Sequence, residues 1–352
     1  MVNERLTEQA VELLCRLIEV PRISREETAA ADLLQNYMTA ELGLEVRREG
    51  NNLWSIQPDF DPRKQTLLLN AHIDTVKPVA GWQRNPFKAT REGNRIYGLG
   101  SNDDGASLVS LLHVFAAFGE EGKGLYNLVF LASAEEEVSG KGGIESVLPL
   151  LPKIDVALVG EPTGMQPAIA EKGLMVLDVT AKGKAGHAAR DEGDNAIYRA
   201  MDDIAWFRNY RWKRVSPLLG PVKMTVTIVN AGTQHNVIPD TCTFTVDVRT
   251  NECYTNREIF DEIGKNVKSQ VVARSFRLSS SGIDERHPLV QKIIALGGKP
   301  FGSPTLSDQA LMPFPSLKMG PGESRRSHSA DEFVDFCEIR DAINRFTQIL
   351  ST

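Results

Sequence analysis

The chain reads as an α/β protein: a mostly parallel sheet flanked by helices, with a smaller ferredoxin-like α+β domain inserted into it. Three observations carry that reading. Short apolar runs recur at 66–71, 126–133, 155–160 and 315–319, with helical stretches between them. Strands alternating with helices mark a parallel sheet. The middle third instead alternates strictly, from Val222 to Ile228 and from Thr241 to Arg249, as antiparallel strands with one wet face do. Finally, the order β-α-β-β-α-β over about 174–283 is that of a ferredoxin-like unit.

The elements follow in order. Residues 5–19 set Leu6, Ala10, Leu13, Leu14, Leu17 and Ile18 on one helical face. Ser24-Arg25-Glu26-Glu27 is a capping-box pattern and predicts a second amphipathic helix through about Ala40. Two short strands follow, around Glu45–Arg48 and Asn52–Ile56, and then the buried strand at 66–71. Helices near 105–118 and 141–150 alternate with the next apolar strands. In the middle third, Asp194 caps a helix with Ile197, Ala200, Met201, Ile204 and Phe207 on one side, and a second helix spans 255–269. Linkers near Gly173 and Arg286 divide the chain into a catalytic domain, 1–173 with 286–352, and an insert, 174–285.

Composition narrows the function. A length of 352 residues allows two cores, and 41% hydrophobic with 24% charged residues is ordinary for a soluble globular protein. The net charge is −6 and no dense Lys/Arg block occurs, which argues against nucleic acid and for a small-molecule partner. No apolar run approaches the ~20 residues of a membrane span. Met1 to Ala10 is too polar for a signal peptide. The four cysteines, Cys15, Cys242, Cys253 and Cys337, are scattered and read as reduced residues of a cytoplasmic protein.

The chemistry collects where strands end. The first apolar strand runs into His72-Ile73-Asp74, the second into Glu135-Glu136-Glu137, the third into Glu161, and the last into a Gly-Pro-Gly turn followed by His328. Between the first two, Gly98 to Gly105 carries Asp103 and Asp104 on a glycine loop at a helix start. Each signal alone has an ordinary explanation: a solvated acidic turn, a helix cap, a loop histidine. Parallel strands, however, deliver all of them to one crevice. Two histidines and at least three carboxylates without cysteine suit a pair of divalent ions, zinc foremost, then cobalt or manganese. Such a pair needs one bridging carboxylate and two further ligands each, leaving an extra glutamate free as general base.

In this order the motifs resemble the dinuclear-zinc amidohydrolases that include acetylornithine deacetylase, succinyl-diaminopimelate desuccinylase, aminoacylase and carboxypeptidase G. The likeness runs through His72-Ile-Asp74, Trp82 to Phe87, Gly98 to Asp103, Glu136-Glu137, Gly160 to Thr163, Gly186-His187, Asn236 to Pro239, Gly320 to Gly322 and His328. The resemblance implies that His72, Asp103 and Glu161 hold one metal, and that Asp103 bridges to a second held by Glu137 and His328. It makes Asp74 the partner that orients His72, and Glu136 the general base. His187, on the insert, would reach the active site of a partner subunit and stabilise the oxyanion, which implies a homodimer. Asn236 and Arg249 resemble substrate-binding positions. Three departures stand out: Asp104 directly follows the bridging position, Glu135-Glu136-Glu137 stands where the family often has Asp-Glu-Glu, with Glu135 as the Asp equivalent, and Gly98-Leu99-Gly100 replaces the family's Gly-Arg-Gly.

The expected activity is two-metal hydrolysis of the amide bond of an N-acyl amino acid, closest to acetylornithine deacetylase. N-succinyl-ornithine and N-acyl-lysine are near alternatives, and Arg325 and Arg326 are candidate anchors for a succinyl carboxylate. Succinyl-diaminopimelate desuccinylase and di- or tripeptidase are rivals of the same class, and a non-catalytic metal-binding protein is the rival of another. A nucleotide-binding protein fails for want of a phosphate loop, because Gly98-Leu99-Gly100 leads into acids that repel phosphate.

Overall fold

The computed structural model describes residues 2–121, 124–190 and 192–351. Within them the chain divides into two compact units. The first takes the residues up to Ile169 together with Gly282–Phe301 and the stretch from Ser307 onward, and the second takes Ala170–Ser281 with Gly302–Leu306.

The first unit is built on strands β1 (Arg47–Glu49), β2 (Asn52–Ile56), β3 (Thr66–His72), β4 (Asn127–Ser133), β5 (Val156–Val159) and β6 (Ser316–Lys318). Their order is β1-β2-β4-β3-β5-β6. The pairs β3–β4, β3–β5 and β5–β6 are parallel, and β1–β2 and β2–β4 antiparallel. Every residue of β3 and β4 is buried, because apolar side chains cover both faces, one parity on each. Leu67, Leu69, Leu128 and Phe130 pack with Leu14 and Leu17 of helix α1 (Val2–Ile18), Leu112 and Phe115 of α3 (Ala106–Glu121) and Ile343 and Phe346 of α4 (Phe336–Leu350). The other parity, Leu68, Val129 and Leu131, packs with Ile144 and Val147. The mostly parallel, helix-flanked sheet read from the sequence is the one observed.

Two local expectations need correction. The second helix, α2 (Thr28–Asn36), starts after Glu27, and no side chain caps it. Ser24, the expected cap, donates its hydroxyl to Asp74 Oδ2 at 2.6 Å instead. The helix expected at 141–150 is a single turn, Ile144–Val147, followed by a tighter turn at Leu148–Leu150. Pro149 there has no amide hydrogen to continue the helix.

The second unit holds an antiparallel sheet of Lys223–Ala231, Thr241–Thr250, Gly173–Lys182 and Gln270–Ala273, in that order. Helices Ala196–Asn209 and Asn256–Asn266 accompany it. Gly173–Lys182 buries alternate residues, so that Met175, Leu177, Val179 and Ala181 form one wall of a core with Phe244, Val246 and Val248. Thr255 closes a capping box with Glu258, which starts the second helix where the sequence placed it. The first helix is capped by Asn195, whose side chain accepts from Ile197 N at 2.9 Å, and not by Asp194, which pairs with Arg199. Its buried face is Ala196, Ala200, Asp203 and Phe207, while Met201 is 57% exposed. Asp203 is admitted because Lys268 N and Ser269 N donate to its carboxylate at 3.1 and 2.9 Å.

Candidate metal centre

Strands β3, β4, β5 and β6 end at one edge of the sheet, and the residues that follow them meet there. His72 closes β3 and is buried. Its Nδ1 lies 3.0 Å from the carbonyl oxygen of Asp74 and 3.5 Å from that residue's Oδ1. Two acceptors on this side call for a proton on Nδ1. That leaves the Nε2 lone pair 3.2 Å from Asp103 Oδ1. On the other side of Asp103, Oδ2 stands 3.7 Å from His328 Nε2, which is 2.9 and 3.1 Å from the two oxygens of Glu137. One carboxylate thus faces both imidazoles, an oxygen to each. The ligand atoms of His72, Asp103 and Glu137 lie within 4.8 Å of one another, and so do those of His72, Glu136 and Glu161.

The loops that deliver these groups are gripped by buried carboxylates. Asp74 accepts the amides of Glu136 at 3.0 Å and Glu137 at 3.2 Å, one on each oxygen. Glu27 accepts the amide of Glu135 at 3.2 Å. Glu332 accepts from Gly100 N at 2.9 Å, Asn102 N at 2.8 Å and Asp103 N at 2.9 Å. Glu135 and Gly100 both have positive φ, 55° and 73°, so each of these turns folds back sharply enough for its amides to point one way.

Charge crowding gives the cluster its character. Burial, reinforced by Glu161, Asp308 and Glu137, holds the Glu136 carboxyl well above the usual range. Burial together with Asp103 and Asp104 does the same for Glu161, against the opposing charge of Lys318. The hydrogen bond to Glu137 raises His328 to about 8. Burial opposes the His72 imidazolium, yet the bonds to Asp103 and Asp74 outweigh it and raise that group too. Imidazole lone pairs aimed at carboxylates that repel one another need positive charge between them. The donor set is nitrogen and oxygen only, and it fits two divalent ions sharing Asp103.

Of the acids expected at this edge, Asp103, Glu136, Glu137 and Glu161 face the cluster. Asp104 is buried beside them, and burial pushes its carboxyl up to about 8. Glu135 turns away to accept from Gly142 N at 3.3 Å. Arg325 pairs with Glu323, and Arg326 pairs with Glu338 at 2.7 Å and with Glu323 at 3.4 Å. Neither arginine is therefore a free anchor for a carboxylate. From the sequence Ser24 and Glu27 read only as a helix-capping pair, and Glu332 carried no role at all. Glu332 lies four residues after His328, which is the only sequence signal it offers.

The remaining candidates belong to the second unit. His187 is exposed on a short strand, Gly186–His187, paired with Val237–Ile238. Ala189 N donates to its Nδ1 at 3.1 Å, which puts the proton on Nε2 and makes that nitrogen a donor. Asn236 is its neighbour, since Ala188 N donates to the Asn236 carbonyl at 3.0 Å. Arg249 forks onto Asp247 of its own strand at 2.9 and 3.1 Å.

Comparison with known proteins agrees with this architecture. The profile of peptidase family M20/M25/M40 matches residues 68–352. A Mycobacterium tuberculosis chain named "Putative succinyl-diaminopimelate desuccinylase DapE" is 28% identical, and the match covers 97% of each chain. Acetylornithine deacetylase of Proteus mirabilis is 26% identical, over 97% of this chain and 95% of its own. Among solved structures, the YXEP protein of Bacillus subtilis, described as a dinuclear metal binding peptidase from the M20 family, superposes with a TM-score of 0.73. Its identity is 16%, and the alignment covers 98% of both chains.

Proposed function

The chain belongs to peptidase family M20/M25/M40 and is a metal-dependent amidohydrolase; from that premise we propose that it deacylates N-acyl amino acids, N-acetyl-ornithine foremost. The carrying observation is the convergence of His72, Asp103, Glu137, Glu161, Glu136 and His328 at one end of parallel strands. His72, Asp103 and Glu161 would hold one ion, and Asp103, Glu137 and His328 the other. Bound there, two divalent ions, zinc or cobalt, supply the charge that acidifies a water and polarises an amide carbonyl.

The chain's own groups do the rest. Glu136 is half-buried and more basic than a free carboxylate; it takes the proton of the attacking water and returns it to the leaving amine nitrogen. Asp74 holds His72 in one tautomer and fixes the amides of Glu136 and Glu137. His187, from a second copy of the chain, donates Nε2–H to the carbonyl oxygen as charge develops on it. Asn236, beside His187, and Arg249, on exchanging Asp247 for the substrate carboxylate, bind the amino-acid portion. The second copy pairs through the edge strand Lys223–Ala231, where Ile228 and Val229 are 50% and 53% exposed. Among the described residues no helix is long and apolar enough to cross a membrane. The unpaired cysteines fit a cytoplasmic location.

The relatives' names keep desuccinylase and peptidase as the second reading. Engagement of Arg325 and Arg326 by Glu323 and Glu338 favours an uncharged acyl group over succinyl. A panel of acetyl-ornithine, succinyl-ornithine, succinyl-diaminopimelate and simple di- and tripeptides, run with zinc and with cobalt, tests the assignment. Acetyl-ornithine is expected to give the highest kcat/KM. Cleavage of the peptides alone would refute deacylation.

A further inference from the structure

We propose that Arg22 is a positioning residue for the metal centre: its guanidinium ties the strand end that carries His72 to the glycine turn that carries Asp103. The inference rests on the two-metal reading above and adds a residue to it. Arg22 is 2% exposed, among the largest fully buried side chains of the protein. Among the described residues its hydrogen bonds go to backbone carbonyls. Nη1 donates to the carbonyl of Ile73 at 2.5 Å and Nη2 to the carbonyl of Gly100 at 2.8 Å. Ile73 directly follows His72, and Gly100 lies three residues before Asp103. One planar group therefore spans the two loops whose separation sets the distance from His72 Nε2 to Asp103 Oδ1.

The surroundings are shaped for this group. A Cβ on Gly100 would stand 2.5 Å from Nη2 and one on Gly105 3.1 Å from it, so both glycines leave the guanidinium its room. The stem is held as well. Arg22 O accepts from Thr75 N at 2.9 Å, Ser24 N donates to Thr75 O at 3.1 Å, and Ile23 bridges Thr75 in parallel. Burial disfavours the charged guanidinium, while Glu332, Asp74, Asp104 and Asp103 favour it. A cation buried among these acids offsets their repulsion before any metal binds. Lysine cannot replace it, because one ammonium does not offer two diverging donors to carbonyls on separate loops.

Arg22→Lys, which keeps the charge, and Arg22→Met, which removes it, test the assignment with cobalt as the probe. The readouts are the visible absorption of the cobalt-loaded protein, cobalt affinity by titration, and kcat and KM separately, with far-ultraviolet circular dichroism to confirm folding. In Arg22→Lys we expect an altered cobalt spectrum and a loss of about 10–100-fold in cobalt affinity or kcat with KM unchanged. Should Arg22→Met fail to fold, Arg22→Lys alone decides. A lysine variant with the parent spectrum, affinity and kcat overturns the role of Arg22, even if its Tm falls. No cobalt uptake by the unaltered chain overturns the metal centre, and the role of Arg22 with it.

Discussion

Glu136 shows how much of this chemistry is decided by the surroundings of a single residue. The residue is half-buried, and desolvation together with the charges of Glu161, Asp308 and Glu137 raises its carboxyl well above the ordinary range. General-base catalysis gains from such a shift toward neutrality. Glu136→Gln keeps the shape and loses the proton acceptor. It is expected to take up cobalt as the parent does while kcat falls on the order of 10²–10⁴-fold. Near-parent turnover with cobalt bound would remove Glu136 from that role. Three acids after an apolar strand marked this stretch of the sequence, but taken alone they read as a solvated turn, and only the family resemblance singled out Glu136 as the base. Ser24 was not legible. Its pattern with Glu27 is that of a helix cap, and only the fold turns its hydroxyl to Asp74. Ser24→Ala removes the hydroxyl bond to Asp74 and leaves the two amides and His72. The loss of about 1 kcal/mol predicts roughly fivefold weaker cobalt binding. Unchanged affinity in a titration would show that the two amides and His72 hold Asp74 without the hydroxyl.

At the scale of elements, periodicity located strands and helices well wherever apolar side chains alone decide burial. It failed where a polar group is buried for a reason of its own. Asp203 turns the helix Ala196–Asn209 by accepting two backbone amides, and no hydrophobic pattern carries that information. Helix α3 holds a second such case, with a measurable consequence. His113 Nδ1 stands 2.7 Å from the Val109 carbonyl and so bears the proton, leaving Nε2 to accept from Tyr37 OH at 2.7 Å. Burial lowers this imidazole to about 4, whereas an unfolded histidine titrates near 6.5. Between those values the unfolded chain binds a proton that the folded chain refuses. Stability from this group is therefore complete above about pH 6.5 and is lost as pH falls toward 4. The total is about 3 kcal/mol at most. Urea unfolding at pH 7 and pH 5 should show a fall that His113→Leu reduces by about 2 kcal/mol. Equal falls in the two proteins would exclude His113 as the source.

At the scale of the whole molecule, the sequence made the catalytic edge legible because parallel strands must end together. It left the partner contacts open, because residues that meet only between copies have no pattern along one chain. His187 is the informative example: exposed, with its tautomer set by Ala189 and a donor nitrogen left free. If it serves the active site of a second copy, two inactive variants must repair each other. In a mixed dimer of Glu136→Gln with His187→Ala, one site combines an intact Glu136 with the His187 of the other chain, and the remaining site lacks both. Random pairing makes half of the dimers mixed, so equal co-expression should restore about a quarter of parent activity, at a twofold symmetric interface. Replacing the exposed Ile228 and Val229 on the edge strand by lysine should abolish that recovery by separating the copies, because charge on an edge strand opposes pairing. Mixtures as inactive as their components, from a protein shown to be dimeric by sedimentation, would place the oxyanion donor elsewhere in the chain.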